Sequence, residues 1–263
     1  MTTSAPTQET GLSGSAPLYT RVEPLNPEQH GKLGVRQMAN PFGFVSNAHF
    51  VPLLAQEFPQ AATTYPIIFA GEDKAPLAVM GIEPGTNLYF HKDGSTINQP
   101  YLPAYVRRFP FIVANDDANG RAIVCLDVGA DIVSASGELK IFNGNELTDY
   151  GKNCVDFCQR YEEDRGQSEL ILKQIRDLDL FHLRQIKHQP RDAAGNAVGE
   201  ETLVSEFFAV EEPRVHALSA EKLAALRDTG ALAYIYSHLI SMSHWDRLIS
   251  LEIQRLNPPA NQA

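Results

Sequence analysis

Tyr101-Leu-Pro-Ala-Tyr-Val-Arg-Arg-Phe-Pro-Phe-Ile-Val-Ala114 packs four aromatic rings, two prolines and a pair of adjacent cations into fourteen residues of an otherwise acidic chain. Its last part, Phe109–Ala114, has the apolar, β-branched character of a strand. Ala122–Val128 repeats that character after the polar segment Asn115–Gly120, so the two read as a hairpin. If the segment is extended at Arg107 and Arg108, the two side chains point to opposite faces. An inward guanidinium then needs an anion, because a buried charge without a partner is very costly. Tyr101, Tyr105, Phe109 and Phe111 supply rings on which a guanidinium plane can stack. Two readings follow. One is an internal Arg–carboxylate bridge that ties the sheet to the helical part of the chain. The other is a site for a small anionic ligand built from Arg107, Arg108, Tyr101 and Tyr105.

Outward from that stretch, the N-terminal half reads as mostly antiparallel β structure. Leu18–Val22 is an edge-strand candidate and Leu33–Met38 a short strand closed by Asn40-Pro41. Phe50, Leu53, Leu54 and Phe58 fall at helical spacing, which predicts a helix over 50–58 closed by Pro59. Tyr65–Ala70, Leu77–Ile82 and Leu88–His91 follow as strands, the last ended by the tight-turn pair Asp93-Gly94.

The C-terminal half is helical in pattern. Leu147–Arg165 and Ser168–Lys187 read as two helices with breaks at Gly166 and near Asp177. Gln189–Gly199 is a loop and Leu203–Val210 a strand that returns to the sheet. Ser219 caps a short helix carrying Leu223 and Leu226, with Gly230 as its stop. Ala231–Leu251 reads as one continuous amphipathic helix, with His238, Asp246 and Arg247 on or beside its polar flank. The fold class is α+β: a β-rich N-terminal half and a helical C-terminal half sharing one core, in a single domain over residues 18–263. Residues 1–17 are Ser, Thr, Ala, Gly and Pro with little apolar bulk, and read as a disordered tail.

Composition narrows the function classes. A net charge of −10 argues against the dense basic face that nucleic-acid binding needs. No run of about 18 apolar residues marks a membrane span. The start of the chain lacks the basic and apolar regions of a secretory signal. Three cysteines, Cys125, Cys154 and Cys158, do not make a disulfide framework. These features point to the cytoplasm.

Chemistry-bearing patterns are sparse. His91-Lys-Asp93 has the H-x-D spacing of Fe(II)- and 2-oxoglutarate-dependent oxygenases, which hold iron by two imidazoles and a carboxylate. The distal imidazole would be His182, His188 or His216, with His182 taken as the first choice. The plain reading of Asp93-Gly94 is a turn. Cys154 and Cys158 share a helical face, but no second pair completes a zinc site, so they read as small buried residues. No Gly-rich phosphate loop or nucleophile elbow is present. The expected cofactor set is none, with Fe(II) and 2-oxoglutarate as the alternative.

Tyr101–Phe111 resembles the Y-I-P-x-x-I-R-R-Y-P-F signature of the SapC family. Five other segments agree with it in order: Phe44–Phe58 with His49, Pro52 and Glu57; Tyr65-Pro-Ile-Ile-Phe69; Gly81–Asn87; Phe208-Ala-Val-Glu-Glu212; and Gly230–Leu239. There are departures. Ser95-Thr96-Ile97 stands where the family usually has a Trp after the Asp-Gly turn, and Glu211 where Asp is usual. The resemblance implies a bacterial protein whose family name links it to surface layers. It also implies companionship with outer-membrane uptake receptors and flavin-dependent halogenase-like proteins, and it supplies no catalytic mechanism. The expected role is a cytoplasmic accessory or binding protein, its partner an unidentified protein or a small anionic ligand. A metal-dependent oxygenase and a surface-layer or secretion component are the alternatives.

Overall fold

The computed structural model describes residues 17–116, 121–189 and 197–257. The expected tail falls, up to residue 16, outside the described residues. So do 117–120 of the expected hairpin loop and 190–196 of the later loop.

In chain order the elements begin with β1 (Val22–Pro24), α1 (Pro27–His30), β2 (Gly34–Val35), β3 (Phe50–Pro52), α2 (Phe58–Ala61), β4 (Ile67–Ala70), β5 (Ala75–Val79) and α3 (Ala104–Arg107). There follow β6 (Phe111–Asp116), β7 (Arg121–Asp127), β8 (Val133–Ser134), β9 (Leu139–Lys140), β10 (Phe142–Asn143), β11 (Glu146–Leu147) and α4 (Asp149–Asp177). The chain ends with β12 (Phe181–His188), β13 (Thr202–Val210), α5 (Glu212–His216), α6 (Ala220–Asp228), α7 (Ala231–Ser241) and α8 (His244–Leu256). All strand pairs are antiparallel and the class is α+β, as expected. Contacts gather the chain into two compact units, where the sequence alone leads to one domain over 18–263. The first comprises residues up to Met38 with Arg108–Glu162, and the second Ala39–Arg107 with Glu163 onward.

The first unit holds the sheet β1-β7-β6, the small sheet β8-β2-β9 and the pair β10-β11. Its core is Val35, Phe111, Leu126, Ile141, Phe142 and Cys158. Asp127 is fully buried and stays satisfied because it accepts from the N–H groups of Thr20, Arg21 and Gly129 and from the Thr20 hydroxyl. The expected edge strand is shifted: Leu18 takes φ +76°, and pairing starts at Val22. The strand expected over Leu33–Met38 shrinks to Gly34–Val35. There Gly34 passes so close to the Gly137 carbonyl that a Cβ would sit 2.4 Å from its oxygen.

The second unit is built on the five-stranded sheet β12-β13-β4-β5-β3. Three expectations fail here for identifiable reasons. Phe50–Phe58 is not a helix: Phe50–Pro52 is the edge strand β3, where Pro52 needs no N–H partner, and Pro59 sits in the first turn of α2 instead of closing a helix. Leu88–His91 forms only a single bridge, Phe90 to Thr96. Phe181, Leu183 and Ile186 belong to a strand: α4 ends at Asp177, at the expected break, and Asp179 adopts φ +52° before β12 begins.

Helix α4 runs through Gly166 without a break. A Cβ added at Gly166 meets nothing within 4 Å. Gly166→Ala is therefore expected to raise stability by about 0.5–1 kcal/mol, read as a higher midpoint of thermal unfolding. Conversely, the helix expected over 231–251 is divided. Ser241 and Ser243 turn their hydroxyls onto the carbonyls of His238 and Ile240, and the chain makes a tight turn between α7 and α8.

Two side chains of α7 clamp this sheet. His238 is fully buried; its Nδ1 donates to the Ile67 carbonyl at 2.9 Å, and its Nε2 accepts from the Val210 N–H at 3.1 Å. Ser241 Oγ accepts from the Ile67 N–H at 3.0 Å. Backbone groups of β4 and β13 that lack a ladder partner are thus satisfied by one helix.

Candidate ligand-binding groove

Cross-strand pairing decides which side chains of the second sheet share a face. Phe50 lies opposite Val79, and Ile68 opposite Leu77, so these four point the same way. Phe69 alternates to the other face, where its ring meets those of Phe181 and His238. The first face is not fully covered. With Ala70, Ile82, Val204, Ser205, Glu206, His49 and Trp245 it forms a groove of about 260 Å³. Phe50, Ala70, Leu77, Ile82 and Val204 are each only half-buried.

Aromatic rings wall this groove. Trp245, the chain's one tryptophan, is 4% exposed and lies parallel to Phe207 at 5.3 Å and 11°. Its Nε1–H is buried and has no acceptor among the described residues. His49 sits edge-on to Phe50 at 4.3 Å, and burial lowers its pKa, which favours the neutral imidazole. Glu206 supplies the groove's one carboxylate and is held by Gln185 Nε2 at 2.7 Å. Sequence reasoning passed over Trp245 and took His49 only as part of the family resemblance, not as a site residue. The available signal was a lone tryptophan inside an amphipathic run, which pattern alone assigns to the core.

The central stretch takes a different form from the expected strand. Pro103 starts a helical turn, its carbonyl accepting from Val106 and Arg107, and pairing resumes only at Phe111. The two arginines still diverge. In the second unit the Arg107 side chain is 44% exposed, donates Nε–H to the Leu102 carbonyl at 3.0 Å, and lies 3.9 Å from Glu57. Glu57 is the buried hub of this corner: its carboxylate accepts from Leu54 N–H, Ala104 N–H and the Tyr101 hydroxyl. Burial and the Glu57 charge raise the Tyr101 pKa. Tyr105 is buried. In the first unit Arg108 is 5% exposed at its side chain, 3.8 Å from Glu162, with its guanidinium 4.3 Å over the Tyr161 ring. Of the expected anion site, Tyr101 and Arg107 thus gather at Glu57 and Arg108 at Glu162, while Tyr105 is buried.

His91, Asp93 and His182 are not brought together. Among the described residues no three His, Cys, Asp or Glu side chains gather as a metal ion requires. The Asp93 carboxylate accepts from the Ser95 N–H and hydroxyl, which hold its pKa down and close the turn at Gly94. His182 lies on β12 within electrostatic range of His238. Cys154 and Cys158 do share α4. Burial pushes the Cys158 thiol up to about 12, against the pull of Arg108, so it is a packed thiol and not a reactive one.

Fold and groove together define an α+β protein with a preformed, ring-walled apolar recess on one antiparallel sheet. The chain belongs to the SapC family, whose model matches residues 25–248. No curated protein and no solved structure is significantly similar to it. Among the described residues no helix is long and apolar enough to cross a membrane.

Proposed function

We propose that this SapC-family chain is a cytoplasmic accessory protein that works by binding, and that its ligand is a small, neutral, mostly apolar molecule seated in the groove beside Trp245. The observation that carries this reading is the groove itself: an incompletely covered apolar sheet face bounded by Trp245, Phe50 and His49. Ligand recesses have this character, apolar walls with few polar groups. The charge at the site selects against an anion, since Glu206 would repel it and His49 favours its neutral form. A volume of about 260 Å³ suits a ligand of one or two rings.

Trp245 makes the test direct. Titration with the neutral probe N-phenyl-1-naphthylamine is expected to quench Trp245 emission saturably at one-to-one stoichiometry. Ile82→Asp, which places a charge on the groove wall, is expected to weaken that binding by roughly tenfold or more. Absence of saturable quenching, or equal affinity in the variant, defeats the assignment. Recovery of the native protein in the envelope fraction alone would overturn the cytoplasmic placement.

A further inference from the structure

A second recess in the same unit has the opposite chemistry. It measures about 290 Å³ and takes Ser46, Asn47, Thr86, His91, Lys92 and Arg255 into its lining. Its ionisable lining is entirely of cation-forming type; no Asp or Glu lines it. The cavity collects His91, Lys92 and Arg255 from two distant segments, while Glu83 and Glu252, which do not line it, pair with Arg255, and the Asp93 charge acts on His91.

The side chains are placed as donors. Arg255 is fixed along one edge: Nε donates to Glu252 Oε2 at 2.9 Å, and Nη2 donates to Glu252 Oε1 at 2.6 Å and to Glu83 Oε2 at 2.8 Å. Its Nη1 has no hydrogen bond among the described residues and remains as a preoriented donor pair. The Lys92 ammonium and the His91 ring likewise have no ion pair or side-chain hydrogen bond among the described residues. The floor is rigid: Asn87 Nδ2 donates to the carbonyls of Val45 and Ala48, and its Oδ1 accepts from Tyr89 and Phe90. The neighbouring Asp93 is turned to Ser95 and takes no part in the lining.

We propose that this recess is an oxyanion site, in which Arg255 Nη1, Lys92 Nζ and the His91 ring receive the carboxylate or phosphate group of a small molecule. The His91-Lys92 segment, whose spacing with Asp93 suggests a metal ligand pair, is assigned to anion recognition. The proposal does not depend on the groove at Trp245, which has its own lining.

Calorimetric titration at constant ionic strength, in chloride buffer, separates the two sources of the anion: inorganic phosphate in one arm, citrate in the other. Saturable one-to-one binding is expected in at least one arm, the tighter arm identifying a phosphate-bearing or a carboxylate-bearing ligand. Lys92→Glu, an exposed change that leaves the Arg255 clamp intact, is expected to weaken binding by roughly tenfold or more, and His91→Gln by roughly threefold. The site is refuted if neither anion gives saturable heat, or if Lys92→Glu binds within about twofold of the parent. It is equally refuted if raising chloride at fixed ionic strength displaces the anion as effectively as added phosphate or citrate.

Discussion

Replacing His238 with leucine is expected to destabilise the protein by about 4 kcal/mol and to remove a defined part of its acid sensitivity. The loss follows from what the ring does: it caps the Ile67 carbonyl and the Val210 N–H, both buried, and leucine leaves both without a partner. The pH effect follows from the tautomer. Nδ1 carries the proton and Nε2 is an acceptor, so protonation would set a second N–H against the Val210 N–H. Burial, chiefly, with smaller contributions from Arg184 and His182, lowers the pKa from 6.5 to about 3. The unfolded chain therefore takes up a proton near pH 6.5 that the folded chain refuses until about pH 3. The His238 contribution to stability is fully present above pH 6.5 and is lost as pH falls towards 3. Its slope is about 1.4 kcal/mol per pH unit within that window. Urea unfolding followed by circular dichroism between pH 7 and pH 5, above the range where ordinary carboxylates dominate, measures the slope directly. The leucine variant should be less stable at pH 7 and flatter by the equivalent of one proton. An equal slope in both proteins would mean that His238 is not the group responsible.

The same residue shows where sequence reading stops. Placing His238 on the polar flank of an amphipathic helix is sound by periodicity. Burial there is decided by β4 and β13, which expose a carbonyl and an N–H that only a two-sided hydrogen-bonding group can meet. The strands with strong local signals were legible: β4, β5, β6, β7 and β13 lie within a few residues of their expected positions, and the Ser219 cap holds α6. The failures share one cause, a local pattern overridden by a tertiary partner or by a backbone state that residue type does not announce. Phe50, Leu53, Leu54 and Phe58 keep helical spacing, yet β5 offers an edge that accepts Pro52. α4 does end at the break expected near Asp177, but the positive φ at Asp179 that follows, and the strand after it, are not announced by residue type. Gly166, a strong breaker in isolation, is carried by a 29-residue helix. The groove was illegible for a related reason: Ile68, Leu77 and Val79 read as buried strand residues, as Ile68 and Val79 are, and only the register shows that they share the face lining the groove.

Arg108→Ala is expected to cost about 3 kcal/mol, and Arg107→Ala well under about 1 kcal/mol, although the two residues are neighbours of the same type. The difference lies in their surroundings. Arg107 is 44% exposed, and its 3.9 Å approach to Glu57 is screened by water, while Glu57 keeps its other three donors. Arg108 is 5% exposed, faces Glu162 at 3.8 Å, and sits over Tyr161 at 4.3 Å, with Tyr19 further off at 5.8 Å. Removing it takes a close cation away from a Glu162 that is itself only 21% exposed, and takes the guanidinium from the Tyr161 ring. Arg108→Lys separates these contributions. The ammonium keeps the charge towards Glu162 but has no plane to stack on Tyr161, so an intermediate loss of about 1.5 kcal/mol is expected. A double-mutant cycle with Glu162→Gln isolates the pair: each single change already removes their mutual attraction, so the double variant should lose less than the sum of the two. Chemical denaturation of the four proteins gives the coupling. A loss under about 0.5 kcal/mol for Arg108→Ala, or strict additivity in the cycle, would show that the buried arginine is not held by Glu162. Its conformational role in the first unit would then have to be replaced by a binding role at the same residue.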